Sequence, residues 1–210
     1  SHDKFLEEEA EYMIALSCFY RDSGDSGDRL KEFLDNYPES VHRHQINFLI
    51  GSFHFDKKEW AVAKHWLTQS DIDYLTPSEQ EDYSFRLAYS DLQLGDKQSA
   101  QRYFGLLYQN SEKYRDAADY YLGYIDYTNA DYDAALKRFE RLRNNPEFGE
   151  EVAFYAAQAT FFKENLQEAI QLAQNFLEKY PQSAHSPEMY RVLGNSYFRL
   201  GQPTKAISNY

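Results

Sequence analysis

A chain of 210 residues with 42% apolar and 17% aromatic content can bury a substantial core, which excludes disorder. Its 22 basic against 34 acidic residues leave a net charge of −12, the wrong sign for displacing counterions from nucleic acid or for settling on anionic lipid. The single cysteine, Cys18 in YMIALSCFY, excludes internal disulfides and cysteine-built zinc sites and reads as a buried small hydrophobe, and no apolar run approaches the ~20 residues that span a bilayer.

The elements recur along the chain. FLDNYPESVH at 33 to 42 and FLEKYPQSAH at 176 to 185 share six of ten residues. Between them, alanines that follow a turn-like cluster form a ruler: Ala63, Ala100, Ala135, Ala169 and Ala206. Calling that alanine position 20 sets unit starts at 44, 81, 116, 150 and 187, with a degenerate unit near 7. Each unit then reads as two amphipathic helices, A and B, joined by a short turn.

The unit near 7 begins on Glu7, Glu8 and Glu9, a solvated helix start. It offers Met13 and Ile14 at positions 7 and 8. Its helix B would run through DSGDSGD, where Gly24 and Gly27 each cost ~1 kcal/mol in a helix interior, so a shortened helix or extended turn is expected. Asp22, Asp25 and Asp28 are three apart, not two, and do not make a calcium loop. His42 and His44 form a pair between repeats, with His54 and His65 further on; nothing fixes their convergence on a metal, and the pair reads as a solvated linker.

Positions 7 and 8 continue as Ile50-Gly51, Leu87-Ala88, Leu122-Gly123, Ala156-Ala157 and Leu193-Gly194. Small residues at 8 and alanine at 20 let the two helices of a unit approach closely. Position 24 carries Leu30, Leu67, Phe104, Phe139, Ala173 and Tyr210, and position 27 carries Phe33, Ser70, Leu107, Leu142 and Phe176. Gly95-Asp96, Ala130-Asp131 and Gly201-Gln202 fill the turns, Pro203 opens the last helix B, and Pro38 and Pro181 end two others. With no initiator Met and an end at Tyr210 inside a helical run, the chain reads as a fragment of a longer one.

These columns resemble the tetratricopeptide repeat, most fully in MYRVLGNSYFRLGQPTKAISNY and then in YYLGYIDYTNADYDAALKRFERL. The resemblance covers essentially the whole chain. It implies an all-α, right-handed α-α superhelix of about six helical hairpins, the first degenerate and the last truncated, forming one domain over 1–210. The family's aromatics at positions 4 and 11 are met only by Tyr190 and Tyr197; Asn47, Ser84, Asp119, His54 and Asp91 stand in such slots elsewhere. The segment from 150 to 210 is also similar to bacterial cell-envelope members, the outer-membrane assembly lipoprotein and Tol-Pal coordinator type. That likeness implies a periplasmic or envelope location, with the cytoplasm as the alternative.

The resemblance further implies that A helices line a concave face through positions 2, 5, 9, 12 and 13. Here those positions supply Phe48, Phe55, Phe85, Tyr89, Tyr120, Tyr124, Tyr127, Phe154, Gln158 and Phe161, then Arg191, Asn195 and Arg199. The rings either pack between neighbouring A helices or form an aromatic trough for a segment of another protein. Arg191, Asn195 and Arg199 resemble one element of a carboxylate clamp for a partner's chain terminus. No nucleophile elbow, phosphate loop or dinucleotide fingerprint occurs, so no catalytic residue, cofactor or metal is predicted. The expected function is a protein-interaction scaffold for an unidentified protein or peptide partner, with no nucleic acid and no membrane insertion. The alternative is a self-assembling structural module.

Overall fold

The computed structural model describes residues 2–21 and 26–209. Asp22, Gly24 and Asp25 of the expected turn, and Tyr210 at position 24 of the last unit, lie outside the described residues. Among the described residues there are α-helices and one 3-10 turn but no strand: α1 (His2–Tyr20), α2 (Ser26–Asn36), α3 (Arg43–Asp56), α4 (Trp60–Thr68), α5 (Pro77–Gln93), α6 (Lys97–Asn110), α7 (Arg115–Thr128), α8 (Tyr132–Leu142), α9 (Gly149–Phe162), α10 (Leu166–Lys179), α11 (Ser186–Arg199) and α12 (Pro203–Ile207).

The register read from the alanines is the register of the fold. Trp60, Lys97, Tyr132, Leu166 and Pro203, the first residues of α4, α6, α8, α10 and α12, all fall at position 17. The A helices α3, α7, α9 and α11 each start one residue before their unit does. The ruler alanines are buried to 2% exposure or less, as are Leu30, Leu67, Phe104 and Phe139 at position 24. Gly51 and Gly123 show why position 8 is small: a Cβ on Gly51 would lie 2.7 Å from Leu67 Cγ, and one on Gly123 2.7 Å from Phe139 Cε1.

Every turn from 44 onward ends helix A in the same way. Lys58, Gly95, Ala130, Glu164 and Gly201, all at position 15, have φ between 61° and 85°. The N–H of position 15 donates to the carbonyl of position 12, and that of position 16 to position 11, as in Gly95 to Leu92 and Asp96 to Asp91. This is the Schellman closure of a helix C-terminus. Three of the five left-handed positions therefore hold residues with a Cβ.

The chain divides into two compact units, Ser1–Tyr103 and Phe104–Tyr210. In the first, Leu30, Phe33, Ile46, Ile50 and Leu67 form a core that Tyr12, Ala15 and Leu87 extend. In the second, Phe139, Leu142 and Val152 form one cluster, and Phe154, Phe176, Met189 and Leu193 another. Each fully buried Leu or Phe contributes about 2 kcal/mol of transfer free energy.

The first hairpin departs from the sequence reading. Met13 and Ile14 are 58% and 53% exposed, while Tyr12 and Ala15 are buried. Helix A of this unit is thus one residue later than expected, with Ala15 as its small contact residue. Its helix B starts at Ser26, position 20, three residues later than its counterparts, as the glycine-rich run implied. Gly27 is the second residue of α2, not an interior one.

Candidate functional site

In the first unit, α3 and α5 bring Phe55, Phe85 and Tyr89 together. Phe55 meets Tyr89 edge to face at 5.7 Å and Phe85 at 6.5 Å. Trp60, the first residue of α4, closes the group at 5.3 Å from Phe55 and 5.2 Å from Tyr89. The Arg86 guanidinium lies 5.6 Å from the Phe55 ring, a cation over an aromatic face. All four rings are half-buried. Phe48 is buried to 4% and belongs to the core.

In the second unit the rings of α7 meet those of α9. Tyr124 and Tyr127 stand 5.4 and 5.0 Å from Tyr155. Tyr132, at the start of α8, stacks on Phe162 at 5.6 Å, and Phe162 is 49% exposed. Tyr120 instead stacks on Phe148 at 4.8 Å, and burial pushes its phenol far above the ordinary 10. Burial also raises the Tyr127 and Tyr155 phenols to about 12. Phe154 is buried at 8% and stacks on His185 at 4.1 Å. Phe48 and Phe154 are therefore core residues, while Tyr120 is half-buried like the other rings and packs on Phe148.

A polar relay crosses three A helices. The Tyr127 hydroxyl donates to Gln158 Oε1 at 2.7 Å, and Gln158 Nε2 donates to Glu188 Oε1 at 3.0 Å. Glu188 in turn pairs with Arg191. Gln158 is buried, so its amide is spent on joining α7 to α11. Arg199 pairs with Glu164 at 2.7 Å and covers the Phe161 ring at 5.6 Å. Both arginines of the clamp-like trio are thus already neutralised by glutamates, and Asn195 is half-buried on α11.

The histidines correct the sequence reading, which left His42 and His44 solvated. His42 stacks on Tyr12 at 3.7 Å and its Nε2 lies 2.7 Å from Glu9. His185, at the same point of the second decapeptide, stacks on Phe154 and lies 3.0 Å from Glu151. In both copies the histidine N–H donates to a serine hydroxyl two residues earlier, Ser40 or Ser183. The repeated decapeptide is one joint used twice. His44 is buried, accepts the Asp71 N–H on Nδ1 at 3.0 Å, and has its pKa lowered by burial. Cys18, expected inside, is half-buried.

Carboxylates replace the absent aromatics of positions 4 and 11. Asp91, 1% exposed, pairs with Lys64 of α4 at 2.6 Å, and that hydrogen bond raises the Lys64 pKa. Asp119, 2% exposed, accepts from Arg141 Nε and Nη2 at 2.7 Å and from Arg138 at 2.9 Å. Arg138 also holds Asp126 at 2.8 Å. Among the described residues no group of three or more His, Cys, Asp or Glu side chains could hold a metal ion, and no helix is long and apolar enough to cross a membrane.

Trp60, Arg86 and Tyr132 are surface-forming residues that the position rule missed, whereas Phe162 and Glu188 stand at positions 13 and 2, which the rule covers, without having been singled out. Trp60 and Tyr132 share position 17, so reading the first residue of each helix B as a column would have found them.

Comparison with known proteins agrees with this geometry. Residues 151–183 match the family model described as tetratricopeptide repeat. A tetratricopeptide repeat protein from Parabacteroides merdae superposes with a TM-score of 0.70 at 17% identity, over 95% of this chain and 77% of that one. The fold is of the tetratricopeptide-repeat type. MamA AMB-1 shares the tetratricopeptide-type fold with a TM-score of 0.66 at 17% identity, covering 81% of this chain and 89% of its own. MamA MSR-1 gives 0.66 at 16% identity, covering 80% and 92%. No curated protein matches the chain significantly.

Proposed function

We propose that the chain is a protein-interaction scaffold that receives partner segments on the aromatic surfaces of its A helices and helix B starts. The observation that carries this is the pair of half-exposed ring groups, Phe55, Trp60, Phe85 and Tyr89 in one unit and Tyr124, Tyr127, Tyr132 and Phe162 in the other. Such rings supply contact area at low entropic cost, and their edge-to-face contacts hold them in place before a partner arrives. The resemblance of 150 to 210 to envelope members supports a periplasmic location. The tetratricopeptide fold itself hosts scaffolds more readily than chemistry.

A photo-crosslinking residue placed at Tyr89 or Tyr132 tests this in cells. Partner adducts are expected from both positions and not from Lys137, an exposed residue away from the rings. Equal adducts from Lys137, or none from the ring positions, would overturn the reading.

Self-assembly is the second reading, favoured by the exposed Phe5, Leu6, Met13 and Ile14 on α1 and Phe198 and Ile207 on α11 and α12. Concentration-dependent sedimentation that Met13→Gln abolishes would support it.

A further inference from the structure

A half-enclosed cavity of about 490 Å³ lies between α8 and α10, with α9 as its floor. Its origin is a set of replacements that can be followed position by position. Over α7 the corresponding space is filled by Asp119 and Asp126, held by Arg138 and Arg141 beneath the Tyr108 ring. The residues at the same positions one unit later are Ala153, Thr160, Leu172, Asn175 and Arg143, and all five line the cavity. Ala156 takes the place that Leu or Ile holds at position 7 of the units from 44 to 187. Both carboxylates and two large side chains are gone, and the void is what they leave.

The polar atoms that remain point to what fits. Helices α8, α9 and α10 run alternately up and down, so the start of α9 lies beside the ends of the other two. That end of the cavity carries Arg143 and Lys179. Arg143 has Glu140 at 3.2 Å, whereas Lys179 has no carboxylate within ion-pairing distance among the described residues, its ammonium resting 5.1 Å from the Tyr180 ring. The middle is apolar, with Val152, Ala153 and Ala156 as floor. Thr160 lines the far end, 2% exposed, and its hydroxyl makes no hydrogen bond to a described residue. The floor from Val152 to Thr160 is about 12 Å long at the rise of an α-helix.

We propose that this cavity binds a small medium-chain carboxylate, its head group at Lys179 and Arg143, its chain over Ala153 and Ala156, and a hydroxyl or carbonyl at the far end against Thr160. The volume falls within the range of small-molecule sites. Glu140 and Glu168 also line the cavity, but they are held by Arg143 and Asn165, so such a ligand supplies at Lys179 the carboxylate that Asp119 supplies to the arginines of the neighbouring groove. The site is separate from the aromatic surface, so its failure leaves the scaffold reading standing.

Isothermal titration with decanoate, ω-hydroxydecanoate and decanol, below micelle-forming concentrations, tests the proposal. Both acids are expected to bind saturably with one site per chain, about tenfold tighter than decanol. Ala156→Leu, which refills the void with the residue usual at that position, is expected to keep or raise the melting temperature while removing binding. Lys179→Gln, an exposed change that leaves the core untouched, is expected to weaken decanoate about three- to tenfold and leave decanol as it was. The proposal falls if neither acid saturates, if decanol binds as well as decanoate, if folded Ala156→Leu binds like the parent chain, or if Lys179→Gln leaves decanoate affinity unchanged.

Discussion

At the scale of single residues, two buried polar side chains set measurable behaviour. His44 accepts a hydrogen bond on Nδ1 from the Asp71 N–H, which requires the neutral ring, and burial lowers its pKa below the ordinary 6.5. The unfolded chain therefore binds a proton that the folded chain resists. The stability this site contributes is fully present above pH 6.5 and is lost as pH falls through the lowered folded value. Urea unfolding at pH 7.5 and pH 5 should show lower stability in acid, and His44→Gln should shrink that difference. Asp119 is the second case. Asp119→Ala strands Arg141 and leaves Arg138 with Asp126 alone; their side chains are 46% and 25% exposed and can partly recover water, so a loss of about 2 kcal/mol is expected rather than the larger figure for a sealed pair. An unfolding midpoint unchanged within error would show the cluster to be dispensable. Neither role was legible in the sequence. A histidine between repeats looks the same whether it stacks inside a joint or faces water, and an aspartate in a helix does not announce an arginine nineteen residues on.

At the scale of the element, the hairpin turn is where sequence and structure speak most differently. Gly95 and Gly201 mark two turns openly, and Ala130 marks a third only by its neighbours. Lys58 and Glu164 lie in turn-like clusters that hold no glycine, yet share the same positive φ. Their conformation comes from the register: once helices A and B are fixed by Ala63 and Ala169 against their partners, the closing bonds to positions 11 and 12 force the left-handed residue between them. Packing overrides local preference at the cost of Cβ strain, about 1–2 kcal/mol per residue. Ala130→Gly should accordingly stabilise the chain by about 0.5–1 kcal/mol, the relief of strain less the added backbone entropy of glycine. Ala134→Gly, four residues on inside α8, should destabilise by about the same amount, and chemical denaturation of the two variants together checks that the effect belongs to the turn. The alanine column read this architecture correctly because a position buried against another helix in every unit tolerates little else. It failed at α1, where Met13 and Ile14 satisfy the pattern in sequence, but Tyr12 and Ala15 are the pair that the joint at His42 draws inward.

At the scale of the whole molecule, stability in a repeat chain is a sum over hairpins and their nearest neighbours, and it need not be lost in one step. The two compact units have separate buried clusters, around Ile46 and Leu67 in one and around Phe154, Phe176 and Met189 in the other. The buried ion pairs are likewise local, Lys64 with Asp91 in the first unit and Arg138 and Arg141 with Asp119 in the second. A cavity cut into one cluster should then be felt mainly there. Ile46→Ala removes a side chain that is fully buried and should cost about 3 kcal/mol. Native-state hydrogen exchange should show that cost as lost protection through α3, α4 and α5, with α9, α10 and α11 retaining most of theirs. Met189→Ala should give the mirror image. Equal loss of protection in all six helices after either substitution would mean that the chain unfolds as one cooperative body, and that the couplings between repeats outweigh the differences between their cores.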